Sequence, residues 1–251
     1  MLRQFEVALA LPEGKYVVSS MGSVLHGMLM EHLSSPLASR LHAEELRPYS
    51  QSVYFDRERQ QAFWRFGVFD EALYAELADF FAVPRSVELR QKHYTIKLGE
   101  LKMRKETSFE GLADEVFQRE SAPRGITCRF RTATSFKQAG AYQIFPSERL
   151  LVQSLLLRWQ HFSRDVRLEE ENLAEKLAGC CSIRRYRLQS APFSLEHQVI
   201  CGFRGELGLV FYGNEMVRRI LGLLFSFAPF AGIGIKTALG MGAVEVDWGE
   251  K

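Results

Sequence analysis

The segment from Gly232 to Gly242 has the residue types and the spacing of a site for a negatively charged group. Two G-x-G pairs flank one lysine: the glycines are Gly232, Gly234, Gly240 and Gly242, and the lysine is Lys236. Glycine adopts positive φ without strain and lets the backbone approach a ligand closely. Consecutive backbone N–H groups form a concave nest for an anion, and the lysine adds positive charge. The pattern predicts a phosphate-binding loop, with a flexible glycine-rich connector as the alternative.

The order of the neighbouring elements separates this loop from two common phosphate-binding motifs. The P-loop pattern G-x-x-x-x-G-K-S/T does not occur in the chain. The segment also follows a predicted helix and precedes a predicted strand, which is the reverse of the order in P-loops and in dinucleotide-binding loops. Neither an ordinary nucleotide triphosphatase nor a dinucleotide-dependent enzyme is therefore indicated.

Basic residues alternate with other residues on predicted strands. Residues 124–137 contain Arg129, Arg131 and Lys137, with Phe130 between the two arginines, and they contain no acidic residue. Basic and aromatic side chains in alternation suit contact with phosphates and stacking on nucleic-acid bases. A solvated sheet face is the alternative for any single patch. These three residues and the glycine loop are our predicted nucleic-acid-contacting residues.

The composition is that of a folded protein with a net charge close to zero. The chain has 251 residues, of which 47% are hydrophobic and 25% charged, and its formal net charge is +2. This balance excludes nucleic-acid binding by bulk charge, so an anionic partner must be held by a local patch. The cysteines have no metal-ligand spacing; they are Cys128, Cys180, Cys181 and Cys201. We therefore expect no metal and no other cofactor, no membrane association, and a cytoplasmic location.

The elements that must position these groups follow the same order twice. In the first half, strand 3–11, a helix from Met21 to Leu33, strands 51–56 and 62–69, and helix 71–81 lead to strands within 86–103. In the second half, strand 125–134, helix 147–162, further strands and a helix over 215–227 lead to strand 243–248. The order predicts an α+β protein of two tandem ferredoxin-like (RRM-like) βαββαβ domains, residues 1–122 and 123–251.

Prolines punctuate this pattern at three places. Pro36 and Pro48 predict a loop between the first helix and the second strand. Pro229 predicts the end of the last helix, because proline lacks a backbone N–H and its ring obstructs a helical turn.

The glycine motif G-x-G-x-x-x-x-x-G-x-G with its internal lysine resembles the signature of the CRISPR-associated repeat-RNA endoribonucleases (the Cas six family). Segment 129–137 resembles a strand of that family, although Ala133 stands where proline is usual, and Phe145-Pro146 before a helix also matches. Leu41-His42 and the segment 47–50 agree as well. The resemblance implies two ferredoxin-like domains and metal-independent cleavage of CRISPR precursor RNA within each repeat.

The resemblance also directs attention to two of the six histidines. His42 falls on the leucine–histidine motif that the family carries after its first helix, and His26 lies on that helix. The family often has a tyrosine on the helix, at the place of Met30; His26 precedes it by four residues, about 400° of rotation, and so shares its face. Cleavage through a ribose 2′-hydroxyl needs one proton acceptor and one donor, and it leaves a 2′,3′-cyclic phosphate. We expect His26 and His42 to be this pair, with unassigned roles; the alternatives are a boundary residue for His26 and an exposed loop residue for His42.

Two other functions fit parts of the sequence. The chain could be a non-cleaving, tandem RRM-like RNA-binding subunit of a CRISPR effector complex, or a metabolic protein that uses the loop for a nucleotide phosphate. CRISPR repeat RNA is the expected partner of both the nuclease and the non-cleaving subunit. Association with other effector subunits and formation of a homodimer are left open by the sequence.

Overall fold

The first half of the chain forms one antiparallel five-stranded sheet with three helices. The computed structural model describes residues 1–195 and 198–248. The elements of this half are β1 (Leu2–Ala10), α1 (Met21–His32), α2 (Ser35–Ala43), β2 (Tyr49–Asp56), β3 (Gln61–Val68), α3 (Glu71–Phe80), β4 (Arg85–Leu89) and β5 (Tyr94–Thr107). The strand order is β2-β3-β1-β5-β4.

The second half repeats this arrangement with four strands. Its elements are α4 (Phe109–Phe117), β6 (Gly125–Thr134), β7 (Phe136–Gln138), β8 (Ala141–Gln143), α5 (Glu148–Phe162), α6 (Leu173–Gly179), β9 (Cys181–Ser194), β10 (Val199–Phe211), α7 (Glu215–Ala231) and β11 (Val244–Trp248). The order β11-β6-β10-β9 is that of a ferredoxin-like sheet, and β7 and β8 form a separate small hairpin. The predicted α+β fold of two tandem ferredoxin-like units is confirmed.

The segment between the first helix and the second strand contains a helix that the prolines did not predict. Pro36 lies in the first turn of α2, where its missing N–H has no intrahelical partner to lose. Leu37 and Leu41 bury the inner face of α2 in the first core. His42 consequently lies in the last turn of a helix rather than in a loop.

The prediction that Pro229 ends the last helix is wrong. Helix α7 continues to Ala231 with Pro229 inside its final turn. The carbonyl groups of this turn have acceptor roles outside the helix: Gln4 donates to the Pro229 carbonyl at 3.0 Å and Ser50 donates to the Phe230 carbonyl at 2.6 Å. Tertiary hydrogen bonds from the first half therefore hold the turn that local preference disfavours.

Two large hydrophobic clusters form the core, and α7 connects the halves. Phe109, Leu112 and Val116 of α4 pack in the cluster of the second half. Helix α7 contacts strands of both sheets. The domain boundary at residue 122 stays a prediction. Helix α4 precedes that boundary in sequence but packs in the core of the second half. Among the helices in the described ranges, none has both the length and the apolar character needed to cross a bilayer.

Candidate functional site

His26 shares a hydrogen bond with a residue that lies 23 positions further along the chain. Its Nδ1 lies 2.6 Å from the Tyr49 hydroxyl, and the two rings are nearly parallel, at an angle of 21°. Tyr49 is the first residue of β2 and is fully buried. Burial raises the pKa of its phenol, so Tyr49 stays neutral and can orient the imidazole.

The surroundings of His26 keep its imidazole uncharged at neutral pH. Its pKa is lowered to about 4, first because burial disfavours the charged form, and then because Arg47 and His42 add positive charge nearby. His42 is exposed on the last turn of α2. Arg47 donates from Nε to the carbonyl of Leu41 at 3.1 Å, which ties it to the same turn. The fold therefore brings His26, His42 and Arg47 into one electrostatic neighbourhood.

A buried amide connects the histidine-bearing helix to the glycine loop. Gln51 Nε2 donates to the Gly22 carbonyl of α1 at 2.9 Å and to the Ala238 carbonyl of the loop at 2.8 Å. Its Oε1 accepts from the indole N–H of Trp64. His26 lies one helical turn, about 6 Å, beyond Gly22. Gln51 thus holds the histidine-bearing helix against the glycine loop.

The loop uses its glycines for internal packing. All four have positive φ, from 69° to 106°, and a Cβ at Gly242 would lie 2.1 Å from a carbonyl oxygen. The glycine N–H groups bond to protein acceptors: Gly232 to Ala228, Gly234 to Ser154, Gly240 to Thr237 and Gly242 to Ala133. Within the described residues, the N–H groups of Lys236, Thr237 and Ala238 have no hydrogen-bond acceptor. The donors available to an anion are therefore those of residues 236–238 and not those of the glycines.

The residues that carry these N–H groups line an open groove with an excess of positive charge. The groove has a volume of about 780 Å³ and is bounded by the glycine loop, α5, the β7–β8 hairpin and residues 45–47. Five cations line it; they are Arg47, Lys137, Arg149, Arg158 and Lys236. Glu45 is the one acidic residue among its described lining residues. We call it the cationic groove, and its charge suits a polyanion.

The other two predicted RNA contacts lie elsewhere. Arg129 forms ion pairs with Glu206 at 3.0 Å and Asp247 at 2.5 Å, and Arg131 pairs with Glu245. These acidic residues are on the strands next to β6. Arg131 lines a second cleft, of about 620 Å³, in which three arginines face three acidic residues. The structure thus brings Lys137 and Lys236 together and leaves Arg129 and Arg131 outside the cationic groove.

Sequence reasoning missed three residues of this site. Tyr49 and Arg47 lie in segment 47–50, which carries part of the family resemblance, but only the tertiary structure brings them to His26. Arg158 did carry a signal, because it occupies a position on the buried face of α5 together with Leu151 and Leu155. Across residues 1–195 and 198–248, no three His, Cys, Asp or Glu side chains are grouped so as to hold a metal ion.

Known proteins match this chain over most of its length. A family model described as CRISPR-associated endoribonuclease Cas6 matches residues 128–244. A CRISPR-associated endoribonuclease Cas6 of Streptococcus thermophilus is 30% identical over 225 residues, which cover 88% of this chain and 89% of that protein. One of Mycobacterium tuberculosis is 26% identical over 231 residues, covering 91% and 72%.

Solved structures agree in fold over nearly the whole chain. A Cas6 product complex superimposes with a TM-score of 0.78 at 22% identity, covering 98% of this chain and 99% of that one. Thermus thermophilus Cas6 superimposes with a TM-score of 0.70 at 22% identity, covering 98% of each chain.

Proposed function

This chain belongs to the CRISPR-associated endoribonuclease Cas6 family, and from that premise we propose that it cuts CRISPR precursor RNA within each repeat without a metal ion. In this reaction a ribose 2′-hydroxyl attacks the adjacent phosphodiester, and the 5′-oxygen of the next nucleotide leaves. The products are a 2′,3′-cyclic phosphate and a 5′-hydroxyl. The observation that supports this most directly is the neutral, hydrogen-bonded His26 beside His42 and Arg47, next to a groove lined by five cations.

The environments of the two histidines suggest different roles. An imidazole with a pKa of about 4 is unprotonated at neutral pH and so has a free acceptor nitrogen, and on this ground we assign His26 as the general base for the 2′-hydroxyl. In that role Nδ1–H donates to Tyr49 and Nε2 is the free acceptor. His42, exposed on α2, is the proton donor for the leaving oxygen. Arg47 is placed to stabilise the negative charge that develops on the phosphorus oxygens.

The proposed site draws on both proposed domains. The histidines and Arg47 come from residues 1–122, whereas Lys137, Lys236 and the N–H groups of residues 236–238 come from residues 123–251. RNA held in the cationic groove contacts both. We propose that the protein does this work in the cytoplasm, where precursor transcripts are made.

One assay tests the reaction. Purified protein is incubated with its own repeat RNA in EDTA, and the products are resolved on a sequencing gel. We expect one cut, a 2′,3′-cyclic phosphate end, and no cut when the nucleotide 5′ to the scissile phosphate is 2′-deoxy. Binding without a cut would instead support a non-cleaving RNA-binding subunit.

Two substitutions test whether the histidines carry out the cleavage. His26→Ala and His42→Ala should each slow cleavage by about 10²–10⁴-fold, the usual contribution of a general acid or base, while repeat binding stays intact. His161→Ala is the matched control, because His161 is also exposed on a helix but lies at the end of α5 and not on α1 or α2. Full activity in both test variants would contradict the proposed pair.

A further inference from the structure

Arg158 is a buried cation without an acidic partner. It lies on the inner face of α5, lines the cationic groove and is 6% exposed. Its Nη2 donates to the carbonyl of Gly234 at 3.2 Å. Among the described residues, no carboxylate lies within ion-pair distance of its guanidinium group, although most buried or half-buried arginines of this chain have one; Arg3, Arg65 and Arg219 are examples.

This arrangement is costly in the free protein. A charged group that leaves water is destabilised unless an opposite charge and hydrogen bonds replace its hydration. A guanidinium group has five N–H donors; Arg158 uses one for the Gly234 carbonyl, and within the described residues none of its nitrogens is both fully buried and unpaired, so the other donors are accessible from the groove. The same desolvation lowers the pKa of Arg158 to about 10, which still leaves it charged at neutral pH. Two other cations line the same groove, namely Arg149, which pairs with Glu175 at 2.9 Å, and Lys236, so the ligand that suits Arg158 is an anion.

Helix α5 also fixes the part of the glycine loop that faces the groove. The Ser154 hydroxyl accepts the N–H of Gly234 at 2.7 Å, and Arg158 donates to the carbonyl of the same residue. Both polar groups of Gly234 are therefore held by one helix. Lys236, two residues later, has a left-handed φ of 57° and begins the turn whose three N–H groups have no acceptor among the described residues. The buried cation and the free N–H groups are thus preset relative to each other.

We propose that Arg158, Lys236 and the backbone N–H groups of residues 236–238 form a prebuilt pocket for one phosphodiester of the RNA. The pocket lies where α5 meets the glycine loop, whereas the histidines are on α1 and α2, so its role is to anchor the strand rather than to transfer protons. This inference rests on the proposed function in one respect, namely that RNA occupies the cationic groove.

An uncleavable RNA separates binding from chemistry. Repeat RNA with a 2′-deoxy nucleotide 5′ to the scissile phosphate is titrated with wild-type protein and with Arg158→Met at several salt concentrations. Loss of one phosphate contact should weaken binding about tenfold or more, and it should reduce the slope of log K against log salt by about 0.7–0.9. Arg167→Met is the control, because Arg167 is exposed outside the groove and pairs with Glu169. An unchanged slope and affinity in Arg158→Met would overturn the proposal.

Stability distinguishes an anion site from a structural arginine. Replacing an unpaired buried charge by an apolar side chain of similar length often stabilises a protein. We therefore expect Arg158→Met to unfold in chloride at the same temperature as the wild type or at a higher one. Sodium sulfate, at the same ionic strength, should raise the melting temperature of the wild type and of Arg167→Met more than that of Arg158→Met. A lower melting temperature in chloride together with an unchanged sulfate response would show that Arg158 only supports the loop.

The two proposals fail in different ways. If Arg158→Met does not fold, two measurements on the wild type still test the pocket. They are the rise of the melting temperature in sulfate and the competition of sulfate against RNA binding. Absence of both effects would refute the pocket. Cleavage by the wild type with normal RNA affinity in Arg158→Met would refute the pocket alone. Absence of cleavage by the wild type, with the expected loss of affinity in Arg158→Met, would refute the nuclease proposal and leave the pocket supported.

Discussion

The low pKa of His26 should be measurable as a pH dependence of folding stability. In the unfolded chain this imidazole has an ordinary pKa of about 6.5, whereas in the folded protein burial and nearby positive charge lower it to about 4. Between these two values the unfolded state binds a proton that the folded state does not. Stability is therefore full above pH 6.5 and falls as the pH is lowered, until the folded state also binds the proton near pH 4.

The size of the effect follows from the shift. Each pKa unit corresponds to about 1.36 kcal/mol, so a difference of roughly 2.5 units removes up to about 3 kcal/mol. Of this free energy of unfolding, about 2 kcal/mol is already lost when the pH has been lowered to 5. For a protein of ordinary stability this is a substantial part of the free energy of unfolding.

The comparison that isolates His26 uses His26→Gln. The amide keeps a polar group near the Tyr49 hydroxyl but does not titrate in this range. Urea unfolding of both proteins at pH 7, 6, 5 and 4, at constant ionic strength, gives two free energies at each pH. All other titrating groups are shared, so the difference between the two proteins reports on this residue. We expect the wild type to lose about 3 kcal/mol relative to the variant between pH 7 and pH 4. A difference that stays constant would refute the assigned environment of His26.

Three further predictions address the residues around this pair. Gln51→Leu leaves buried polar groups of α1 and of the glycine loop without partners, so the free energy of unfolding in urea should fall by about 1–3 kcal/mol and cleavage should slow in single-turnover assays. Arg47→Met removes a positive charge beside His26; the pKa of His26, followed by NMR, should rise, and cleavage should slow by about 10²-fold through lost charge stabilisation. Gly242→Ala puts a Cβ 2.1 Å from a carbonyl oxygen at a φ of 71°, so urea unfolding should show a loss of about 1–3 kcal/mol, whereas Gly179→Ala, with open space around it, should be neutral. Each prediction has an outcome that would contradict the contact on which it rests. These outcomes are wild-type stability in Gly242→Ala, an unchanged pKa of His26 in Arg47→Met, and wild-type stability in Gln51→Leu.

Local patterns in the sequence were sufficient for most of the fold. Strand β6 was predicted with the bounds it has, and α1 differs from the prediction by one residue. The failures have a common cause, which is that long-range contacts override local preference. Pro229 lies within α7 because side chains 180 or more positions away bond to the carbonyls of its turn. Helix α2 forms because its apolar face is buried in the first core.

The site was predictable in composition but not in detail. The glycine spacing identified the loop, yet the glycines are there to satisfy positive φ and close packing, and the free donors belong to residues 236–238. The alternating pattern correctly predicted that Arg129 and Arg131 lie on a strand. It could not predict that Glu206 and Glu245 lie opposite Arg129, because those residues belong to strands far away in the sequence. The hydrogen bond between His26 and Tyr49 has no local signature at all.

The bridge made by Gln51 has a consequence for the life of the nascent polypeptide. This amide joins α1 to Ala238, which lies 187 positions after Gln51 and is therefore synthesised much later. Until the ribosome has released that segment, one wall of the groove does not exist and the helix that bears His26 lacks its anchor. A partly translated or prematurely terminated chain should therefore leave transcripts uncut, so that RNA maturation in the cell is restricted to molecules whose synthesis has passed the glycine loop.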